Sequence, residues 1–247
     1  MIRWITLFLL LAAPVRAADL VVLSAGAIHS VALAMAPGFE ASTGNKLDLR
    51  NDTVGGLVKR ISGGETFDVV LMSPAGLDQL ARSGKIAAGS GIKLAKVGVG
   101  VGVRAGSPAP DISSVSAFKA AMLGARAVAY IDPASGGSSG IYLAKLFQTL
   151  GIADAMRPKS VLVNGGLAAK TLLDGRTDIA IQQISEIVAV PGVTLVGPLP
   201  AEIQLETVYA GAIAIGAADP AAAEAFLTLM NGPAARAVLT QKGMTAP

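Results

Sequence analysis

Four loops in this sequence carry small, polar residues where a strand pattern gives way to a helical one. They are Ser24-Ala25-Gly26-Ala27, Asn51-Asp52-Thr53-Val54-Gly55-Gly56, Ser135-Gly136-Gly137-Ser138-Ser139-Gly140 and Asn164-Gly165-Gly166. Gln182-Gln183 closes a further strand pattern. Unpaired N–H groups at a helix start attract anions, so the ligands of open α/β sheets gather at such places. One glycine–serine turn is ordinary punctuation. Their recurrence at equivalent places in two successive cycles of strand and helix points instead to a site for a small anion.

Three catalytic patterns can be weighed against that reading. Gly136-Gly137-Ser138-Ser139-Gly140 matches the G-x-S-x-G of a hydrolase elbow and lies between strand and helix. That chemistry needs a histidine later in the chain, and the one histidine is His29. Gly100-Val101-Gly102-Val103-Arg104-Ala105 has the spacing of a dinucleotide fingerprint, but it falls inside a strand pattern and no acid follows at ribose distance. With one histidine and no cysteine, no metal centre and no cofactor are expected. His29 is read either as a solvent-facing residue of a first helical turn or as a group bordering the cleft. Lys59 and Arg60 either face water or reach an anion. Glu186 and Asp132 are equally compatible with helix-end and turn roles.

The elements that must position these loops alternate. Short β-branched runs at Leu20–Leu23, Lys46–Leu49, Phe67–Leu71, Ala127–Ile131, Ser160–Val163 and Asp178–Gln182 are interleaved with helical stretches, the pattern of an α/β protein with largely parallel sheets. Two long extended runs, Lys93–Arg104 and Thr207–Ile215, interrupt the alternation. In the first, Gly98, Gly100 and Gly102 alternate with Val97, Val99, Val101 and Val103. Two cycles separated by two such runs predict two lobes joined by crossing strands, with helices at Pro220–Asn231 and Ala234–Lys242 returning to the first lobe. The expected division is 18–96 plus 208–247 for one lobe and 97–207 for the other.

The amino terminus has the order of a cleavable secretion signal: Arg3, an apolar run from Ile5 to Ala13, Pro14, then Val15-Arg16-Ala17. Residues 1–17 are expected to be removed, leaving a soluble periplasmic protein. The run is shorter than the roughly 20 apolar residues of a membrane span, and without cysteine no lipid can be attached at the cut. Removal of Arg3 and Arg16 takes the 20 basic residues to 18, against 17 acidic ones, a balance of +1. A near-neutral chain with 4% aromatic residues and no basic block is not expected to bind nucleic acid.

The order and spacing of several segments resemble the periplasmic molybdate-binding family of ABC-transporter solute-binding proteins. These are Val22-Leu23-Ser24-Ala25-Gly26-Ala27, Phe39-Glu40-Ala41-Ser42-Thr43-Gly44, Gly55-Gly56-Leu57-Val58-Lys59-Arg60-Ile61, Phe67-Asp68-Val69-Val70-Leu71-Met72-Ser73, Asp132-Pro133 with Ser139-Gly140-Ile141-Tyr142, and Gly232-Pro233-Ala234-Ala235. The resemblance implies a monomer of two hinged lobes that closes over an oxyanion, held by hydroxyls and backbone N–H groups, and hands it to an ABC permease. The family's first two serines fall on Ala27 and close to Val54, so both hydroxyls are missing unless Ser24 and Thr53 take over; all four belong to the expected ligand set. Its backbone donors fall on Ser139 and Gly166, and its tyrosine on Gln183; Gly26 and Gly140 complete the expected set. Each buried partner left unmade costs about 1–3 kcal/mol, so a small carboxylic acid is expected in place of molybdate. Aconitate isomerase also resembles this family, which gives an enzymatic alternative in which His29 or a cleft carboxylate moves a proton.

Overall fold

A computed structural model describes residues 19–247; the expected secretion signal lies outside the described residues. The chain opens with β1 (Asp19–Ala25), which pairs in parallel with β2 (Lys46–Asp52) and β3 (Val69–Met72). All four residues of β3 are buried, as for a strand covered on both faces. The covering helices are α1 (Gly26–Thr43), α2 (Val54–Ser62) and α3 (Pro74–Arg82). Gly44 ends α1 in the left-handed conformation, which glycine adopts without a Cβ penalty.

Strand β4 (Ile92–Arg104) is shared between two sheet regions. Its first half pairs antiparallel with β9 (Glu206–Ile213), and its second half pairs antiparallel with β7 (Ile179–Gln183) and β8 (Val193–Pro198). The second region continues through β5 (Val128–Ile131) to β6 (Ser160–Val163), giving the order β2-β1-β3-β9-β4-β7-β5-β6 with β8 beside β4. Its helices are α4 (Val115–Gly124), α5 (Ser138–Thr149), α6 (Ala153–Met156) and α7 (Ile184–Val188); α8 (Pro220–Met230) and α9 (Pro233–Gln241) close the chain.

The hydrophobic interior divides in the same way. One cluster runs from Leu20 to Val97 and resumes at Tyr209, with Phe39 and Phe226 meeting edge to face at 5.4 Å. A second uses Val99, Val101, Phe118, Phe147 and Tyr130, the last two at 5.6 Å. The glycines of β4 have a packing reason. A Cβ on Gly100 would lie 2.7 Å from Ile184 and one on Gly102 2.8 Å from Ile187, so the bare backbone lets α7 lie directly on the strand.

Two features depart from the expected elements. One is the segment after β6, which forms only a 3-10 turn at Ala168–Leu172; the other is a set of elements that the alternation does not announce, α6, α7 and β8. No helix among the described residues is long and apolar enough to cross a membrane.

Candidate anion site

The loops meet in a partly open void of about 30 Å³, room for roughly two waters. Its wall includes Ala25, Gly26 and Ala27 at the start of α1, and Gly137, Ser138 and Ser139 at the start of α5. The residues preceding these helices, Ala25 and Gly137, provide no side-chain cap. The first-turn N–H groups of helices 18 and 12 residues long are thus left for whatever occupies the void. Two positive helix ends converge on one point, an arrangement that favours negative charge.

Thr53, Val54, Gly166 and Gln183 complete the expected part of the wall. Ser24, however, is not in it: its hydroxyl lies 2.7 Å from His29 Nδ1, behind the site. Gly140 also falls outside, because a Cβ there would stand 2.1 Å from the Ile131 carbonyl; it seats α5 on β5. Thr53 has a different role from the one expected. Its hydroxyl donates to the Ser135 carbonyl and accepts from Gly56 N–H at 3.0 Å. Its single proton is therefore spent, and it caps α2 and bridges the two halves of the molecule.

Two further contacts join those halves around the void. Ser185 Oγ donates to the Ala27 carbonyl at 2.7 Å, and Gly55 N–H donates to the Gly136 carbonyl at 3.2 Å. The latter approach requires glycine on both sides, since a Cβ on Gly136 would stand 2.6 Å from the Gly55 Cα.

The two adjacent glutamines are divided by function. Gln182 accepts from Ala168 N–H at 2.8 Å and donates to the Gly166 carbonyl at 2.7 Å, fixing that loop. Gln183, 2% exposed, donates to Thr207 at 2.9 Å while its Oε1 has no hydrogen-bond partner. A buried acceptor without a partner is costly, and this one borders the void.

Glu186 and Tyr209 are the groups that the sequence reading undervalued or missed. Both are buried and both line the void. Burial pushes the Glu186 carboxyl up to about 8, only partly offset by the Gln183 N–H and the Gln182 side chain. Burial also raises the Tyr209 phenol, with the nearby Glu186 charge adding to it and the side chains of Ser138 and Gln183 opposing. At neutral pH both groups therefore keep their protons and can donate.

The remaining candidates resolve simply. Arg60 is committed to Glu65 and Asp52, and Lys59 is exposed; neither lines the void. Asp132 accepts from Ala134 N–H in a turn. Ser138 has no histidine beside it, because His29 is bonded to Ser24, so the hydrolase pattern has no base.

The family model for bacterial extracellular solute-binding proteins matches residues 20–245. The chain belongs to that family. This solute-binding protein is 35% identical over 242 residues to an aconitate isomerase of Pseudomonas sp, with 96% of this chain and 90% of the relative covered. Its fold is similar to that of the Azotobacter vinelandii periplasmic molybdate-binding protein, at a TM-score of 0.76 and 21% identity over 92% of this chain and 99% of the other. A sulfate-binding protein of Mycobacterium tuberculosis H37Rv is similar at 0.73 and 19%, over 93% and 87%. The fold that the resemblance to molybdate-binding proteins implies is thus shared over 92% of this chain.

Proposed function

We propose that this protein is a periplasmic receptor that closes two lobes over the carboxylate of a small organic acid and presents it to an ABC permease. The observation that carries this is the pair of uncapped helix starts, α1 and α5, facing one void from opposite halves of the molecule. Neutral Glu186 and Tyr209 add two donors to the helix starts, which suits the two oxygens of a carboxylate. Ala27 and Val54 bring no hydroxyl. The lobes proposed are 18–96 with 208–247, and 97–207; the separate clusters around Phe39 and Phe118 support that division. A thermal-shift screen followed by calorimetry, across molybdate, sulfate and mono-, di- and tricarboxylic acids, tests the reading, since a bound ligand raises the melting temperature. Stabilisation by carboxylic acids is expected. A response to molybdate or sulfate alone would overturn it.

A second reading is favoured by the aconitate isomerase relative and by Glu186 itself. Aconitate has a methylene next to a carbon–carbon double bond. Glu186, as carboxylate, would take a proton from that methylene and return it to the far carbon of the allylic system, the double bond moving by one position. His29 is less suited, because its Nδ1 is engaged by Ser24 and the ring does not line the void. Turnover of trans-aconitate by the purified protein, lost in Glu186→Gln while binding persists, is the expected result under this reading. No turnover by wild type would leave the receptor alone.

A further inference from the structure

A second compartment of about 450 Å³ lies against the first, between α1 and α7, and the two share Gly26 and Glu186. The shared wall is thin. A Cβ on Gly26 would stand 2.2 Å from Glu186 Oε1, so a bare backbone and one carboxyl are what separate the compartments. The inner void, with room for roughly two waters, accepts the polar head of a ligand and not the body of a six-carbon acid. The outer compartment is more than large enough for the remainder.

Its chemistry is that of an anion subsite. Lys242 lines it and takes part in none of the ion pairs among the described residues. His29 lines it too. Ser24 Oγ is 2.7 Å from His29 Nδ1 and 3.5 Å from the Arg50 carbonyl, so Nδ1 is engaged and Nε2 is the ring nitrogen left for a ligand. Burial lowers the imidazole pKa, which keeps the ring neutral at pH 7. Ser30 adds a hydroxyl whose oxygen is buried and has no hydrogen-bond partner. Lys242 without an ion pair and Ser30 without a hydrogen-bond partner thus line the same compartment as the unengaged side of the His29 ring.

We infer that the outer compartment binds a second carboxylate of the same ligand, with Lys242, His29 and Ser30 as its partners. The ligand is then a di- or tricarboxylic acid spanning the Gly26–Glu186 divide, with one carboxylate at the two helix starts and another beside Lys242. This rests on the carboxylate reading of the inner site, and it names the substrate class that the inner site alone leaves open.

Calorimetry with trans-aconitate, succinate and acetate tests it on wild type, Lys242→Gln and His29→Gln, each variant first shown to melt as wild type does without ligand. Wild type should bind trans-aconitate and succinate more tightly than acetate. Lys242→Gln should weaken trans-aconitate by about tenfold to a hundredfold, the effect of losing a hydrogen bond to a charged group, with a smaller loss for His29→Gln. If acetate binds as well as trans-aconitate, or if both variants bind trans-aconitate as wild type does, the second subsite is refuted while the inner site stands. If wild type binds none of the three acids, the carboxylate reading fails first and the subsite falls with it.

Discussion

Replacing Glu186 with Gln keeps the side chain's volume and removes its ionisation. Burial moves this carboxyl from 4.5 up to about 8. A group whose folded pKa lies above its unfolded value stabilises the fold fully below the unfolded value, and that contribution is lost as pH rises through the folded one. For Glu186 the window runs from pH 4.5 to about 8. At about 1.4 kcal/mol per pH unit the loss across it amounts to as much as about 5 kcal/mol, a large share of the stability of an ordinary domain. His29 acts with the opposite sign: burial lowers its pKa from 6.5, so its contribution declines as pH falls below 6.5. It is the same in both proteins and cancels in the difference. Urea denaturation at intervals from pH 5 to pH 9, without ligand, gives the two profiles. Wild type should lose stability relative to Glu186→Gln as pH rises, and the variant should be the more stable at pH 9. Parallel profiles would show that the folded state carries a solvated carboxylate at this position, and the proton chemistry assigned to Glu186 would go with it.

Gly55→Ala places a Cβ 2.8 Å from the Gly136 Cα, so it should hold the halves apart; small-angle scattering should show wild type contracting with ligand and the variant not. Ser185→Ala removes the bond to the Ala27 carbonyl, and calorimetry should show ligand affinity falling by about tenfold. Molybdate should bind weakly or not at all, and sub-micromolar affinity would contradict the donor assignments at Ala27, Thr53 and Val54. Mass spectrometry of the exported protein should find Ala18 at its amino terminus.

Much of the frame was legible because its signals are local. The β-branched runs, the stop at Gly44 and the valine–glycine alternation of β4 each reflect a backbone preference that a short window reveals. The loops that line the void were found for the same reason, as glycine and serine mark the strand-to-helix turns. Side-chain roles were harder, because they depend on partners far along the chain. Thr53 was read as a ligand donor, yet its proton goes to Ser135, a residue that only the tertiary fold brings near. Ser24 was taken for a replacement hydroxyl, and its neighbour across the first helical turn claims it. Tyr209 lies inside a strand, where an aromatic residue is expected to be core, and no pattern distinguishes one that borders a void. Glu186 does leave a signal: it is an acid three residues after Gln183, between Ile184 and the apolar run Ile187–Val190. β8 was missed because Val193–Pro198 contains a glycine and a terminal proline, which read as a turn.

The position of β9 governs the order in which the molecule can be assembled. This strand belongs to the last fifth of the chain, yet it lies between β3 and β4, joining Ile213 to Val69 on one side and Glu206 to Gly98 on the other. Until it is inserted, the first sheet is missing a strand from its middle. The second core draws on residues from Val99 to Leu205, a contiguous stretch that can collapse on local contacts while the amino-terminal part waits. Pairings this distant in sequence form slowly. Because β9 also carries Tyr209, the cleft gains its last wall in the same event. A chain cut short before Glu206 would keep the second core and lack a wall of the site, and a nascent chain passes through the same state.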